Sequence, residues 1–396
     1  MNIGYKLRIF FSKPLFKIIS KPSPTTFIGE NKIKEVAKIL HNENCRNVLI
    51  ITDNNIVSLG IAAPMLKELE SFNIKYSIYS DVTPDPTFEV VDYALNAYSN
   101  YDSVIAVGGG SVIDTAKVVS ASKANNIEPE KLKGIFKVKK KPLPFICIPT
   151  TSGTGSETTI AAVISDTKSH EKVLIIDPKL VADYAILDPL VTTGLPRSIT
   201  VFTTMDALTH ALEAYVSTYA TDESNRLSER AIKIIYKYLR ITYSDPKNIE
   251  AREQLLLASY YAGMAFSKTY VGYVHAFSHS IGGKFGVSHG LGNAVILPHV
   301  MEFYLDACED KFAKLYDLVG LKAGNLSSKE KASGFVQSIF NLNREFSVPE
   351  RIEDFSSSSI QEITKSSFSE AHGTYPVPKY MSYNQANTLL KKVCAK

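Results

Sequence analysis

Cysteine is scarce. The 396 residues hold four, Cys45, Cys147, Cys308 and Cys394, far apart and with no CxxC pair. That spacing excludes a disulfide framework and points to a reducing cytoplasm. Long uncharged apolar runs are also missing. The longest uncharged stretches contain His, Gly and Pro, so no segment is predicted to span a bilayer. Net charge is small, +4, and the basic cluster "KVKKK" (137–141) reads as a solvated turn, so no nucleic-acid partner is expected. There is no low-complexity run and no internal repeat.

What is present is a globular composition, 45% hydrophobic and 21% charged, at a length that suits two domains. "NVLIIT" (47–52), "YSIYS" (76–80), "SVIAV" (103–107) and "PFICIP" (144–149) read as buried strands. "NKIKEVAKIL", "GIAAPMLKELESF" and "FEVVDYALNAY" lie between them and repeat apolar residues at helical spacing. This alternation predicts a parallel sheet covered on both faces, with ligands at the carboxyl ends of the strands. After "DPLVTTGLPRS" the segments are long, amphipathic and strand-poor. The expected organisation is therefore an α/β domain over 1–195 and an all-α domain over 196–396. Residues 1–20 carry Lys6, Arg8, Lys13 and Lys17 among apolar residues. These charges interrupt any signal-peptide core, and an arm packed on the fold is expected.

Three features of the first half suit a dinucleotide. "AVGGGSVIDTAK" puts a strand, then Gly108, Gly109, Gly110 and Ser111, then a helix with Asp114 in its first turn. Glycines permit close approach of a diphosphate, and a helix start offers N–H donors, although the spacing is neither GxGxxG nor a P-loop. "IPTTSGTGSETT" follows a second strand and supplies Thr150, Thr151 and Thr154. Asp53 ends the first strand, where a carboxylate can accept from the adenosine ribose and repel a 2′-phosphate, favouring NAD over NADP. It could equally cap a helix.

The second half gathers metal-ligand chemistry. In "DALTHALEAY" Asp206 and His210 are four residues apart and share a helix face. They could simply hydrogen-bond to each other. Then "HAFSHSIGGKFGVSH" brings His275, His279 and His289. Several imidazoles and a carboxylate in apolar helices are hard to satisfy except by a metal, and N/O ligation suits Fe²⁺, Zn²⁺ or Mn²⁺. Spacing does not say which histidines ligate, and His275 with His279 looks like an HxxxH pair. His299 lies beyond the cluster beside Pro298 and reads as structural.

In combination, "GGGSVIDTAK", "IPTTSGTGSE", "DALTHALEAY" and "HAFSHSIGGKFGVSHGLGNA" resemble the iron-containing (group III) alcohol dehydrogenase family over about Pro24 to Lys396. The resemblance implies a dinucleotide-binding α/β domain and a helical metal-binding domain on a dehydroquinate synthase-like scaffold, with the active site in the cleft between them. It implies Asp206, His210, His275 and His289 as metal ligands, with His279 a proton-transfer candidate near the nicotinamide. At the cofactor it implies Asp53, Asp85, Gly109, Gly110, Ser111, Asp114, Thr150, Thr151, Thr154 and Lys172. Some members of that family carry asparagine where Asp85 stands. The implied activity is a metal-dependent, NAD-linked alcohol dehydrogenase, a homodimer or larger homo-oligomer acting on a small alcohol or aldehyde. A glycerol or polyol dehydrogenase of the same scaffold is the alternative. A dehydroquinate synthase-type lyase fits less well, because the apolar stretch 203–216 lacks the basic residues a phosphate-bearing substrate needs.

Overall fold

A computed structural model describes residues 4, 9, 22–168, 171–321 and 324–395. The chain divides into two compact units, one of residues 20–196 and 241–263, the other of residues 1–19, 197–240 and 264–396.

In the first unit, β1 (Thr25–Ile28) and α1 (Glu35–Asn42) precede β2 (Asn47–Ile51), α2 (Asn54–Ser58) and α3 (Ala63–Ser71). Next come β3 (Lys75–Tyr79), α4 (Phe88–Ala97), β4 (Ser103–Gly108) and α5 (Gly110–Asn125). β5 (Gly134–Ile135), β6 (Phe145–Pro149), β7 (Ala161–Asp166), β8 (Glu171–Ile176) and β9 (Tyr184–Leu187) follow. Six strands form one sheet in the order β1-β9-β6-β4-β2-β3, every pairing parallel. β4 and β6 are buried at every residue. Such strands read as continuous apolar runs because helices cover both faces. Leu49, Ile51, Val104 and Ala106 point into one core, and Val48, Ile50, Ile105 and Val107 into the other, the period-2 alternation of a strand. A small second sheet, β5-β8-β7, pairs β7 and β8 antiparallel.

β2 lies between β3 and β4, so the strand order reverses there, and the crevice at the carboxyl ends of β2 and β4 is where ligands of open α/β sheets bind. Asp53, Gly109 and Thr150 follow β2, β4 and β6 at that end.

The second unit contains no strand among the described residues. α6 (Arg197–Val216), α7 (Asp222–Ser244) and α8 (Ile249–Phe266) lead to α9 (Tyr273–Phe285) and α10 (His289–Phe303). α11 (Glu309–Leu318), α12 (Ser328–Glu345), α13 (Ile360–Ala371) and α14 (Tyr383–Val393) complete it. Residues 241–263, the end of α7 and most of α8, cluster with the α/β unit. α6 is buried almost all round from Thr200 to Val216, as expected of a helix whose polar residues face an interior site. α10 tolerates Pro298 inside it. Proline has no N–H for the Ala294 carbonyl, and Asn343 Nδ2 donates to that oxygen instead at 2.7 Å.

The N-terminal arm expected to pack on the fold lies outside the described residues, apart from Gly4 and Ile9. Ile9 is buried against Tyr219 and Tyr270, and its carbonyl accepts from Tyr219 Oη at 2.7 Å.

Candidate metal and nucleotide sites

Asp206 and His210 face one side of α6, His275 lies in the first turn of α9, and His289 begins α10. Gly290 lets α10 come close to α6, since a Cβ there would stand 2.6 Å from the Phe202 carbonyl oxygen. One ligand atom from each of the four residues lies within 4.8 Å of all the others. Asp206, His210 and His275 are buried, and His289 is partly exposed. His275 Nε2 is 2.9 Å from His210 Nε2, and Asp206 Oδ1 is 3.4 Å from His289 Nε2. Burial alone would raise the Asp206 carboxyl; His210, His289 and the Asn293 amide overcome it and bring it down to about 2. Burial also holds His275 well below the ordinary imidazole range, so the ring is neutral, the form that ligates.

The donor set fits a divalent cation. Asp206 is an anion, and His275 commits Nδ1 to Glu213, which leaves the Nε2 lone pair facing the cluster. Asn293 Oδ1 is buried with no hydrogen-bond partner, while its Nδ2 donates to Asp206 Oδ1 at 2.7 Å.

Sequence reasoning missed three residues here. Glu213 on α6 is buried; its Oε2 accepts from Gly272 N at 2.8 Å and from His275 Nδ1 at 2.6 Å, and its Oε1 accepts from Val274 N at 2.7 Å. Burial pushes its carboxyl up to about 8 against the pull of the backbone N–H groups of Gly272, Val274 and His275. Asn293 is the second. Glu370 is the third, with Oε1 2.8 Å from His279 Nδ1 and also accepting from Tyr375 Oη. Glu213 had a visible signal: seven residues beyond Asp206 and three beyond His210, it returns to the same helix face. Glu370 had none, being distant in sequence from its histidine.

His279 is not among the four clustered residues, although its ring stacks on His289 with centroids 5.3 Å apart. Of three aromatic residues near this stretch, Phe277 is core and Tyr270 packs against Tyr219 and Ile9. Phe266 stacks on His210 at 4.2 Å between centroids and gives the cluster an apolar flank.

In the α/β unit, Gly109 is the N-cap of α5, and Gly110 begins it. A Cβ on Gly110 would stand 2.6 Å from Thr154 Cγ2, so this glycine lets the two loops pack together. Thr150 N donates to the Gly108 carbonyl at 3.0 Å, which ties the loops at their base. Asp53 caps α2, with Oδ1 accepting from Asn55 N at 2.9 Å and Ile56 N at 3.1 Å. Asp114 is turned inward, its Oδ1 accepting from Ser156 Oγ at 2.6 Å and its Oδ2 from Val163 N at 2.9 Å. Both oxygens are thus engaged within the protein, and Asp114 shapes the loop that carries Ser156. Ser111 lies in the first turn of α5 and its carbonyl accepts from Thr115 Oγ1. Thr151 Oγ1 lies 3.3 Å from where a Gly109 Cβ would be.

The chain matches known proteins over both of its halves. A family model described as iron-containing alcohol dehydrogenase matches residues 23–189, and one described as the Fe-containing alcohol dehydrogenase family, C-terminal, matches residues 200–394. The chain is 35% identical over 328 residues to an NAD-dependent methanol dehydrogenase of Bacillus methanolicus, covering 82% of this chain and 86% of that protein. It is 32% identical to lactaldehyde reductase of Escherichia coli (strain K12), covering 83% and 87%. Among solved structures, a 1,3-propanediol oxidoreductase superposes with a TM-score of 0.91 at 29% identity, covering 94% of this chain and 99% of the other.

Proposed function

Because this chain belongs to the iron-containing alcohol dehydrogenase family, we propose that it interconverts a small primary alcohol and its aldehyde with NAD, using a divalent cation. The observation that carries this reading is the convergence of Asp206, His210, His275 and His289 on one point, three of the four being buried. These four would hold the cation, and Fe²⁺ is the proposed metal, with Zn²⁺ and Mn²⁺ suited to the same donors. When bound, the cation supplies Lewis acidity to the substrate oxygen, and NAD supplies the hydride acceptor.

The chain's own residues do the rest. Phe266 offers an apolar surface beside His210, suited to a short alkyl chain. His279, anchored at Nδ1 by Glu370, keeps Nε2 for moving a proton to or from the substrate hydroxyl. The α5 start, with Gly109, Gly110 and Ser111, would take the cofactor diphosphate, with Thr150, Thr151 and Thr154 beside it. The Asp53 oxygen left over from its capping bonds would accept from the adenosine ribose. Asp85 and Lys172, paired with each other, would serve at the cofactor. Four buried free thiols support a cytoplasmic setting, and a homo-oligomer is part of the proposal. No helix among the described residues is long and apolar enough to cross a membrane.

The test is anaerobic purification with elemental analysis, followed by a panel of alcohols scored for NADH formation. Replacing His275 with alanine is expected to abolish metal content and turnover together. A His275→Ala protein with full activity would refute the site.

A further inference from the structure

Glu213 makes more bonds than a helix cap needs. The first N–H groups of α9 have no partner within the helix, and Gly272, its N-cap residue, has no side chain to offer them. A side chain at 272 would also collide with the carboxylate, its Cβ 2.7 Å from Glu213 Oε1. The cap therefore comes from α6: Glu213 accepts from Gly272 N and Val274 N, a placement the helix dipole favours. Two backbone bonds would complete a purely structural role. The third, from His275 Nδ1 at 2.6 Å, is the shortest and reaches a side chain of the candidate metal cluster.

We infer that Glu213 is a positioning residue for the metal: it fixes His275 in the tautomer protonated at Nδ1 and caps the helix that carries the ring, so that one carboxylate ties cation affinity to the start of α9. The inference rests on the metal reading proposed above. The oxygens of the ionised Glu213 carboxylate only accept, so facing that carboxylate the ring nitrogen is the donor. The other ring nitrogen, Nε2, is then a lone pair aimed at His210 Nε2. A carboxylate behind a ligating histidine sets ring orientation and basicity, and its loss lowers metal affinity about 10–100-fold.

Glu213→Gln is the isosteric probe. An amide facing three N–H donors must set its NH₂ against some of them. Turned towards the ring, the NH₂ loses the Gly272 donor but exchanges the Nδ1–H bond for its own donation to an unprotonated Nδ1, so one of its hydrogens is paired. Turned towards Val274, it keeps as many bonds but loses that donor and leaves both of its own hydrogens unpaired. The first arrangement wins and moves the His275 proton to Nε2, where a ligand lone pair is required.

The experiment measures Zn²⁺ affinity of the unsubstituted chain and Glu213→Gln by competition with a chromophoric chelator, and reads the His275 tautomer in metal-free protein by ¹⁵N NMR. The expected result is a loss of affinity of about tenfold or more, with the ring protonated at Nδ1 in the unsubstituted chain and at Nε2 in the variant. A smaller loss, or a ring still protonated at Nδ1 in the variant, overturns the inference. Failure of the unsubstituted chain to take up Zn²⁺ would sink the metal reading separately, and the tautomer comparison would still decide the role of Glu213. If the variant does not fold, the unsubstituted protein decides alone: Nδ1 protonation supports the inference and Nε2 protonation overturns it.

Discussion

Lys172 Nζ lies 2.6 Å from Asp85 Oδ1, so two residues that the family resemblance assigns separately to the cofactor are paired with each other. Asp85 is half exposed and has φ of 54°, in the left-handed region that Asp and Asn tolerate better than other side chains. Asp85→Asn therefore removes the charge without straining the backbone and frees the lysine for an anionic cofactor. The expected outcome is tighter NAD binding by roughly two- to fivefold, the scale of an exposed ion pair, and shrinking at high salt. Titration of NAD by fluorescence at two ionic strengths checks it; unchanged or weaker binding would mean the pair does not compete with the cofactor.

Asp53 does two jobs that one substitution can separate. Its Oδ1 caps α2, and its negative charge is the proposed barrier to a 2′-phosphate. Serine also caps helices well, so Asp53→Ser keeps the cap to within about 1 kcal/mol while removing the charge. The ratio of kcat/KM with NADP to that with NAD is expected to rise at least about tenfold, the effect of roughly 1.4 kcal/mol of relieved repulsion. Steady-state kinetics with both cofactors measure this, and a constant ratio would show that the charge does not discriminate.

The parts legible in sequence were those with a local signal. β2, β4 and β6 are continuous apolar runs, and Asp206 with His210 is an i, i+4 pair on one helix face. β1 and β9 escaped notice because each is only four residues long, and β1 exists by pairing with β9 from far along the chain. β7 (AAVISD) and β8 (EKVLII) did carry a local apolar signal, so neither shortness nor distant pairing accounts for their omission. Asp114, one turn into α5, accepts from Ser156 and Val163, contacts that no spacing within α5 could reveal. Side-chain partners across helices, such as Glu370 for His279, depend on packing that only the folded chain supplies.

His279 and Glu370 make a second separable pair. Nδ1 of His279 is 2.8 Å from Glu370 Oε1, and Glu370 also accepts from Tyr375 Oη. If His279 moves the substrate proton, His279→Gln should keep metal content near that of the unsubstituted protein. Turnover should fall by roughly 10²–10⁴, the usual worth of a general acid–base group. Glu370→Gln, which leaves the imidazole in place, should cost less. Elemental analysis, kcat and the solvent deuterium isotope effect together check the assignment. Loss of metal from His279→Gln would make the residue structural, and unchanged turnover would hand the proton to water.

His299 offers a pH test away from the proposed chemistry. Its Nδ1 is buried with no hydrogen-bond partner, and its ring packs edge-on against Phe340 with centroids 5.1 Å apart. Burial therefore penalises the imidazolium and lowers the pKa from 6.5 to about 4. The unfolded chain takes up this proton near pH 6.5, the folded chain only near 4, so between these values the unfolded state binds more protons. His299 thus contributes fully to stability above about pH 6.5, and the contribution drains away as pH falls towards about 4, by roughly 2–3 kcal/mol. His299→Met removes the titration while keeping an apolar side chain against Phe340. Urea unfolding of metal-free protein at about pH 7.5 and 4.5 should show the unsubstituted chain losing that much more stability than the variant. Every other residue is the same in both proteins, so its contribution cancels in the comparison. Equal losses in the two proteins would mean that this ring reaches water when charged, and that its burial carries no pH dependence.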